Sequence, residues 1–215
     1  RGTAYLEGGS FGTFNQQAGL SGGNGRLSYA FNVGHVRSTD TPVTPPELIA
    51  PGQKLKNDFY DNWTYSAKIG ADLTKNFTLN FAGRYTDATK LFTSGFAFPL
   101  DDERSSIGVQ QYFGRAEAVT TLFGGAWKNY FSVARTNLHS VNTSPGPFGG
   151  TSINDGDRLK TDWRNVVTVA PGQTVIVGLE RTVETMNSIA AFSSLQAGER
   201  KNAGYVEVQS KIGRN

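Results

Sequence analysis

The 215-residue sequence contains no cysteine, which excludes a disulfide-stapled mini-domain and any thiolate metal centre. No apolar run approaches the ~18 residues that a membrane-spanning helix needs. Lys and Arg number 21 against 18 Asp and Glu, and the net charge of +3 is too small to point to nucleic acid as a partner. Helical patterning is also missing. No stretch of three turns keeps apolar residues at i, i+3, i+4 and i+7, and the 26 glycines interrupt most candidates. Residue 1 is Arg, no leader-like apolar segment follows it, and Lys211 to Asn215 looks like the entry to a turn. Both ends therefore read as cuts, with any targeting signal outside this piece.

Period-two alternation is what the sequence has instead. From Trp63 to Thr74 one face reads Trp63, Tyr65, Ala67, Ile69, Ala71, Leu73, and the other Thr64, Ser66, Lys68, Gly70, Asp72, Thr74. Phe77, Leu79, Phe81, Gly83 and Tyr85 alternate with Thr78, Asn80, Ala82, Arg84 and Thr86. Leu27 to Val33, Tyr112 to Phe123, Trp127 to Asn137, Leu159 to Val169, Val175 to Val183 and a last segment from Tyr205 to Ile212 repeat the pattern. Two short strands open the chain, near Thr3–Gly9 and Phe14–Ser21. The sum is about ten strands with one apolar and one polar face, each near the ~10 residues of a tilted membrane strand.

The connections alternate too. Gly22–Gly25, Thr74–Asn76, Gly124–Ala126 and Ala170–Gln173 are short; 39–62, 88–111, 140–157 and 185–202 are long and polar. Loops beyond ~12–15 residues are uncommon in compact domains. An up-and-down barrel threaded through a membrane has short turns on one side and long loops on the other. Arg84, Arg115, Glu117, Asp162, Arg164, Glu180 and Glu207 fall mid-strand on the polar side, where they would line a wet lumen while the apolar side meets lipid. Trp63, Tyr85, Phe123, Trp127 and Trp163 are placed near strand ends, as interfacial girdles would be.

Gly2-Thr3-Ala4-Tyr5-Leu6-Glu7-Gly8-Gly9-Ser10-Phe11-Gly12-Thr13 resembles the first barrel hairpin of TonB-dependent outer-membrane receptors. Gly25-Arg26-Leu27-Ser28-Tyr29 through Gly34-His35 resembles their third strand, and Leu79-Asn80-Phe81-Ala82-Gly83-Arg84-Tyr85 a recurrent strand of the family. The vitamin B12 and siderophore transporters are the nearest branches. The resemblance implies an all-β, antiparallel, up-and-down transmembrane barrel of 22 strands, of which residues 1–215 are the N-terminal part, about ten strands. A plug domain and the C-terminal strands would lie outside it. It implies a bacterial outer-membrane location and uptake of cobalamin or an iron–siderophore, captured by the four long loops. Partners would be the bilayer, the nutrient and, through the plug, the TonB complex. A passive porin or small complete barrel with a structural or adhesive role, and a soluble carbohydrate-binding β-sandwich, are the other readings the strand pattern allows.

No enzyme is expected. Asp101-Asp102-Glu103 with His35 and His139 has no spacing that assembles a catalytic group, no Gly-x-Ser-x-Gly elbow occurs, and Gly22–Gly25 opens no helix that could cradle phosphate. Asn57-Asp58-Phe59-Tyr60-Asp61-Asn62 offers Asp58 and Asp61 to calcium, which takes about six to eight oxygens, so an Asx-rich turn is the better reading and no metal or cofactor is expected. Asn154-Asp155-Gly156-Asp157 reads as a turn as well.

Overall fold

The computed structural model describes residues 1–42, 44–49, 51–52, 56–93, 104–146 and 149–211. They form ten strands: β1 (Gly2–Gly9), β2 (Thr13–Asn24), β3 (Leu27–Thr41), β4 (Asp58–Thr74), β5 (Phe77–Thr93), β6 (Arg104–Leu122), β7 (Trp127–Ser144), β8 (Gly150–Ala170), β9 (Gln173–Ala190) and β10 (Ser193–Ser210). Each pairs antiparallel with the next, in one sheet ordered β1 to β10. That single layer overturns the sandwich reading, which needs a second sheet packed on the first. Pro46–Leu48 is a single 3₁₀ turn in the β3–β4 connection, and Phe123–Gly125 joins β6 to β7 in a turn whose three residues all have positive φ, at 51°, 66° and 100°.

Register turns the alternation into two continuous faces. One row of direct partners runs Leu27, Ala71, Leu79, Ala118, Phe131, Trp163, Leu179 across seven strands. The row one residue away, on the opposite face, runs Ser28, Gly70, Asn80, Glu117, Ser132, Asp162, Glu180. Among the described residues nothing covers the apolar face: Leu27, Phe131 and Leu179 are 43%, 46% and 52% exposed. A water-soluble sheet buries such a face, and one this wide and bare calls for an apolar solvent. On β4 the uninterrupted apolar stretch is Tyr65 to Leu73, and on β5 Phe77 to Tyr85. Nine residues at ~3.3 Å, tilted ~40°, rise about 23 Å, close to the apolar band of an outer-membrane barrel.

The strands are longer than the alternation indicated. β7 and β8 stay paired as far as Ser144 and Gly150, and β9 and β10 as far as Ala190 and Ser193. Most of 140–157 and 185–202 is therefore two-stranded hairpin. β3 likewise runs to Thr41, β4 begins at Asp58, and β5 and β6 extend to Thr93 and Arg104. Beyond the apolar band both sides of a strand meet water, so the hydrophobic contrast vanishes while backbone pairing continues. Trp63, Tyr85 and Trp163 consequently lie inside their strands. Phe123 and Trp127 do stand at the short-turn end, stacked with centroids 6.1 Å apart.

The short turns sit where glycine and Asx chemistry places them. Asn24 accepts the Leu27 amide through Oδ1 at 3.1 Å, closing the Gly25–Arg26 turn. Pro171–Gly172 joins β8 to β9, with Gly172 at φ +73°, a left-handed conformation that favours glycine.

Candidate functional site

The polar face carries charges ordered in rows. Arg115, Ala134, Lys160, Thr182 and Lys201 are successive partners across β6 to β10, so every charge in that row is positive. Two residues along, Glu117, Ser132, Asp162 and Glu180 form a row whose every charge is negative. Two further, Tyr130 and Arg164 are partners, with the guanidinium 4.4 Å from the ring centroid. The rows tie to one another: Arg115 Nη2 donates to Glu117 Oε2 at 2.5 Å, and Lys160 Nζ to Glu180 Oε2 at 2.7 Å. In the next row Arg158 pairs with Glu184 at 3.0 Å, and Lys201 of the positive row reaches Glu199 there at 2.8 Å. A wall of this kind needs water or a polar filling against it, since charges facing hydrocarbon cost several kcal/mol, about 2–4 for a basic residue at the bilayer midplane.

The β3–β5 part of the same face is different. Arg84 stands opposite Ser66, and Lys68 opposite Ala82. Both cations are exposed, and neither has an acidic partner among the described residues. Thr3, Gln17, Asn32, Asn62, Thr64 and Ser66 supply the neutral donors and acceptors around Arg84.

Above the apolar band the opposite face becomes polar in turn. His35, only 9% exposed, bonds Gln16 Nε2 through Nδ1 at 2.7 Å and Asp61 Oδ2 through Nε2 at 3.0 Å. Its ring stacks on Trp63 with centroids 4.0 Å apart and planes 7° apart. His139 Nδ1 meets Asp155 Oδ1 at 2.6 Å, and Arg135 Nε donates to Asp157 Oδ2 at 2.8 Å. At the short-turn end, Trp127 Nε1 and Asn129 Nδ2 both donate to the buried Asn165 Oδ1, at 2.9 and 2.7 Å.

All seven charged residues that alternation assigned to the polar side share one face: Arg84, Arg115, Glu117, Asp162, Arg164, Glu180 and Glu207. The other sequence candidates part company. His35 and His139 are each engaged by a local aspartate, and Asp101, Asp102 and Glu103 lie outside the described residues. Asp58 and Asp61, three apart on β4, project to opposite faces and so cannot share one cation. Asp58 Oδ1 instead accepts the Thr93 amide at 3.3 Å. Asn154 to Asp157 and Asp58 to Asn62 are strand rather than turn. No group of three or more His, Asp or Glu able to hold a metal occurs among the described residues. Sequence reading missed that the charges fall in rows, because rows depend on register across strands far apart in the chain; the tight turns that set register were the available signal.

A single up-and-down sheet with one bare apolar face and one wet charged face is the wall of a transmembrane β-barrel. No family model and no curated protein sequence matches the chain. Solved structures do. The ferric citrate transporter FecA in its unliganded form is 8% identical over 94% of this chain and 34% of its own, with a TM-score of 0.64. The ferric yersiniabactin uptake receptor FyuA from Yersinia pestis is 12% identical, covering 97% of this chain and 43% of its own, with a TM-score of 0.54. The ferric-catecholate import receptor Fiu from E. coli K12, in an open form, is 12% identical, covering 96% and 46%, with a TM-score of 0.53. The shared property is the fold, and the chain spans between 34% and 46% of the length of these receptors.

Proposed function

We propose that residues 1–215 are the N-terminal part of the barrel of a TonB-dependent outer-membrane receptor, and that the intact protein imports a scarce nutrient through its lumen. The observation that carries this reading is the pairing of faces: a bare apolar band about nine residues tall on one side, and ion-paired charge rows on the other. The likeness in fold to three iron-complex receptors supports it. A ferric siderophore or comparable iron chelate is the favoured cargo, with cobalamin the alternative. The long-turn hairpins, 39–62, 88–111, 140–157 and 185–202, would face the exterior and capture ligand, and the short turns would face the periplasm. A plug and further barrel strands would complete the molecule and connect it to TonB. No catalytic role is proposed.

The test is uptake of radiolabelled iron chelates and cobalamin by outer-membrane-bearing cells that express the intact gene. Uptake should require both the gene and a functional TonB. Diffusion of small solutes that ignores TonB would sink the transporter reading and leave a passive porin.

A further inference from the structure

We propose that Arg181 of β9 and Arg200 of β10 form a site on the apolar, outward face for the phosphate headgroup of a membrane lipid. Arg181 follows Leu179 by two residues and stands opposite Thr161 and Asn202, while Arg200 stands opposite Val183. The two arginines are therefore diagonal neighbours on one face, at the ~7–8 Å spacing such positions have in a sheet. Arg181 lies six residues from Val175 and Arg200 eight from Val208, counted away from the short turns. At ~3.3 Å per residue and ~40° of tilt, those are heights of about 15 and 20 Å in a band about 23 Å tall. Both side chains can thus reach the boundary on the long-hairpin side by snorkelling.

Their isolation sets them apart from the other cations of the same face. Five arginines occupy strand positions there among the described residues. Arg37 Nε meets Asp61 Oδ2 at 3.9 Å, Arg104 Nη1 donates to the Asn57 carbonyl at 3.1 Å, and Arg135 Nε donates to Asp157 Oδ2 at 2.8 Å. Arg181 and Arg200 have no such partner among the described residues. Arg181 has a paired strand on each side, yet its row partners Thr161 and Asn202 are neutral and its other neighbours, Leu159, Trp163, Leu179 and Val183, are apolar. Glu180 and Glu184 are close in sequence but belong to the polar face, where Lys160 and Arg158 hold them.

A guanidinium among apolar side chains and without a counter-charge is costly in a bilayer. A lipid phosphate removes that cost, because it accepts charge-assisted hydrogen bonds from arginine forks in pairs. Asn202, opposite Arg181 and two residues from Arg200, adds an amide donor. Towards the short turns the same face offers Leu179, Val177 and Val206, all exposed. A soluble anion leaves these bare, so the occupant is a lipid that brings phosphate and acyl chains together. The site rests on the reading above that this face meets the membrane; it needs no particular cargo.

The experiment is native mass spectrometry of the intact protein in neutral detergent, titrated with dioleoyl phosphatidic acid and, separately, with dioleoylglycerol, the same lipid without its phosphate. Loss of the phosphate and R181Q/R200Q should each weaken binding about 25-fold, two contacts of about fivefold each. R181K/R200K should keep most of the binding. R84Q/K128Q removes two charges from the polar face and should change nothing, and the heat-shifted gel mobility of the folded barrel checks each variant. Millimolar inorganic phosphate should not displace the lipid. Equal affinity for the two lipids, equal binding by wild type and R181Q/R200Q, or displacement by inorganic phosphate overturns the site. Binding that obeys these variants in a protein that imports nothing keeps the site and removes the transport reading. TonB-dependent uptake by a protein whose lipid binding ignores R181Q/R200Q does the reverse.

Discussion

Tyr205 of β10 lies across Gly178 of β9, its direct partner, so closely that a β-carbon at 178 would collide with the ring. The ring takes the place of the side chain that Gly178 lacks. Gly178→Ala should therefore destabilise the β9–β10 pair by about 1 kcal/mol, and Tyr205→Ala in the same molecule should remove most of that penalty. Urea unfolding of the intact barrel in vesicles, run as a double-mutant cycle, reads the coupling; simple additivity would contradict the overlay.

Phe81 and Asn80 are adjacent in sequence and face opposite solvents. Phe81→Arg should cost about 2–4 kcal/mol of folding free energy in a bilayer, while Asn80→Arg should cost under about 1 kcal/mol. Equal penalties would mean that the apolar face does not meet lipid.

Asp162 and Glu180 stand directly opposite each other on β8 and β9, and Lys160 draws Glu180 aside at 2.7 Å. Lys160→Gln returns the two carboxylates to each other. The pair is partly solvated, so the loss should be only about 0.5 kcal/mol. Adding Glu180→Gln should recover it, and 1 M salt should shrink the effect of the single substitution. Stability that ignores both manipulations would show the row to be inert.

His35 is buried between Gln16 and Asp61 with Trp63 against its ring. Asp61→Ala strands a buried ring nitrogen and should cost about 1–3 kcal/mol. Once His35→Phe has removed that nitrogen, Asp61→Ala should cost much less. A cycle with no coupling energy would contradict the bond seen at 3.0 Å.

Phe192, 91% exposed, tips the β9–β10 hairpin, and Pro171–Gly172 tips the turn at the other end of β9. An epitope inserted after Phe192 should be stained on intact cells, and one inserted after Pro171 only after permeabilisation. The opposite pattern would invert the proposed orientation.

Within the apolar band the sequence was transparent. Tyr65 to Leu73 and Phe77 to Tyr85 alternate without interruption because one side of each strand has only one acceptable chemistry. The same strands became opaque above it. Asn154 and Asp157 look like loop residues, since neither face there is held to an apolar pattern, yet both are in paired strand. Of the charged face, membership was legible and arrangement was not. Alternation assigns Glu117, Asp162 and Glu180 to one side, but only the register between strands dozens of residues apart aligns them in a single row.

The charge rows run along the hydrogen bonds, perpendicular to the strands. In a barrel wall whose strands lean about 35–45° from the axis, rows at right angles to them are inclined by the same amount. The positive and negative rows would therefore wind around the inside as the two flanks of a screw thread. A body travelling straight along the axis would cross flanks of alternating sign, while one that turned as it advanced could follow a single flank.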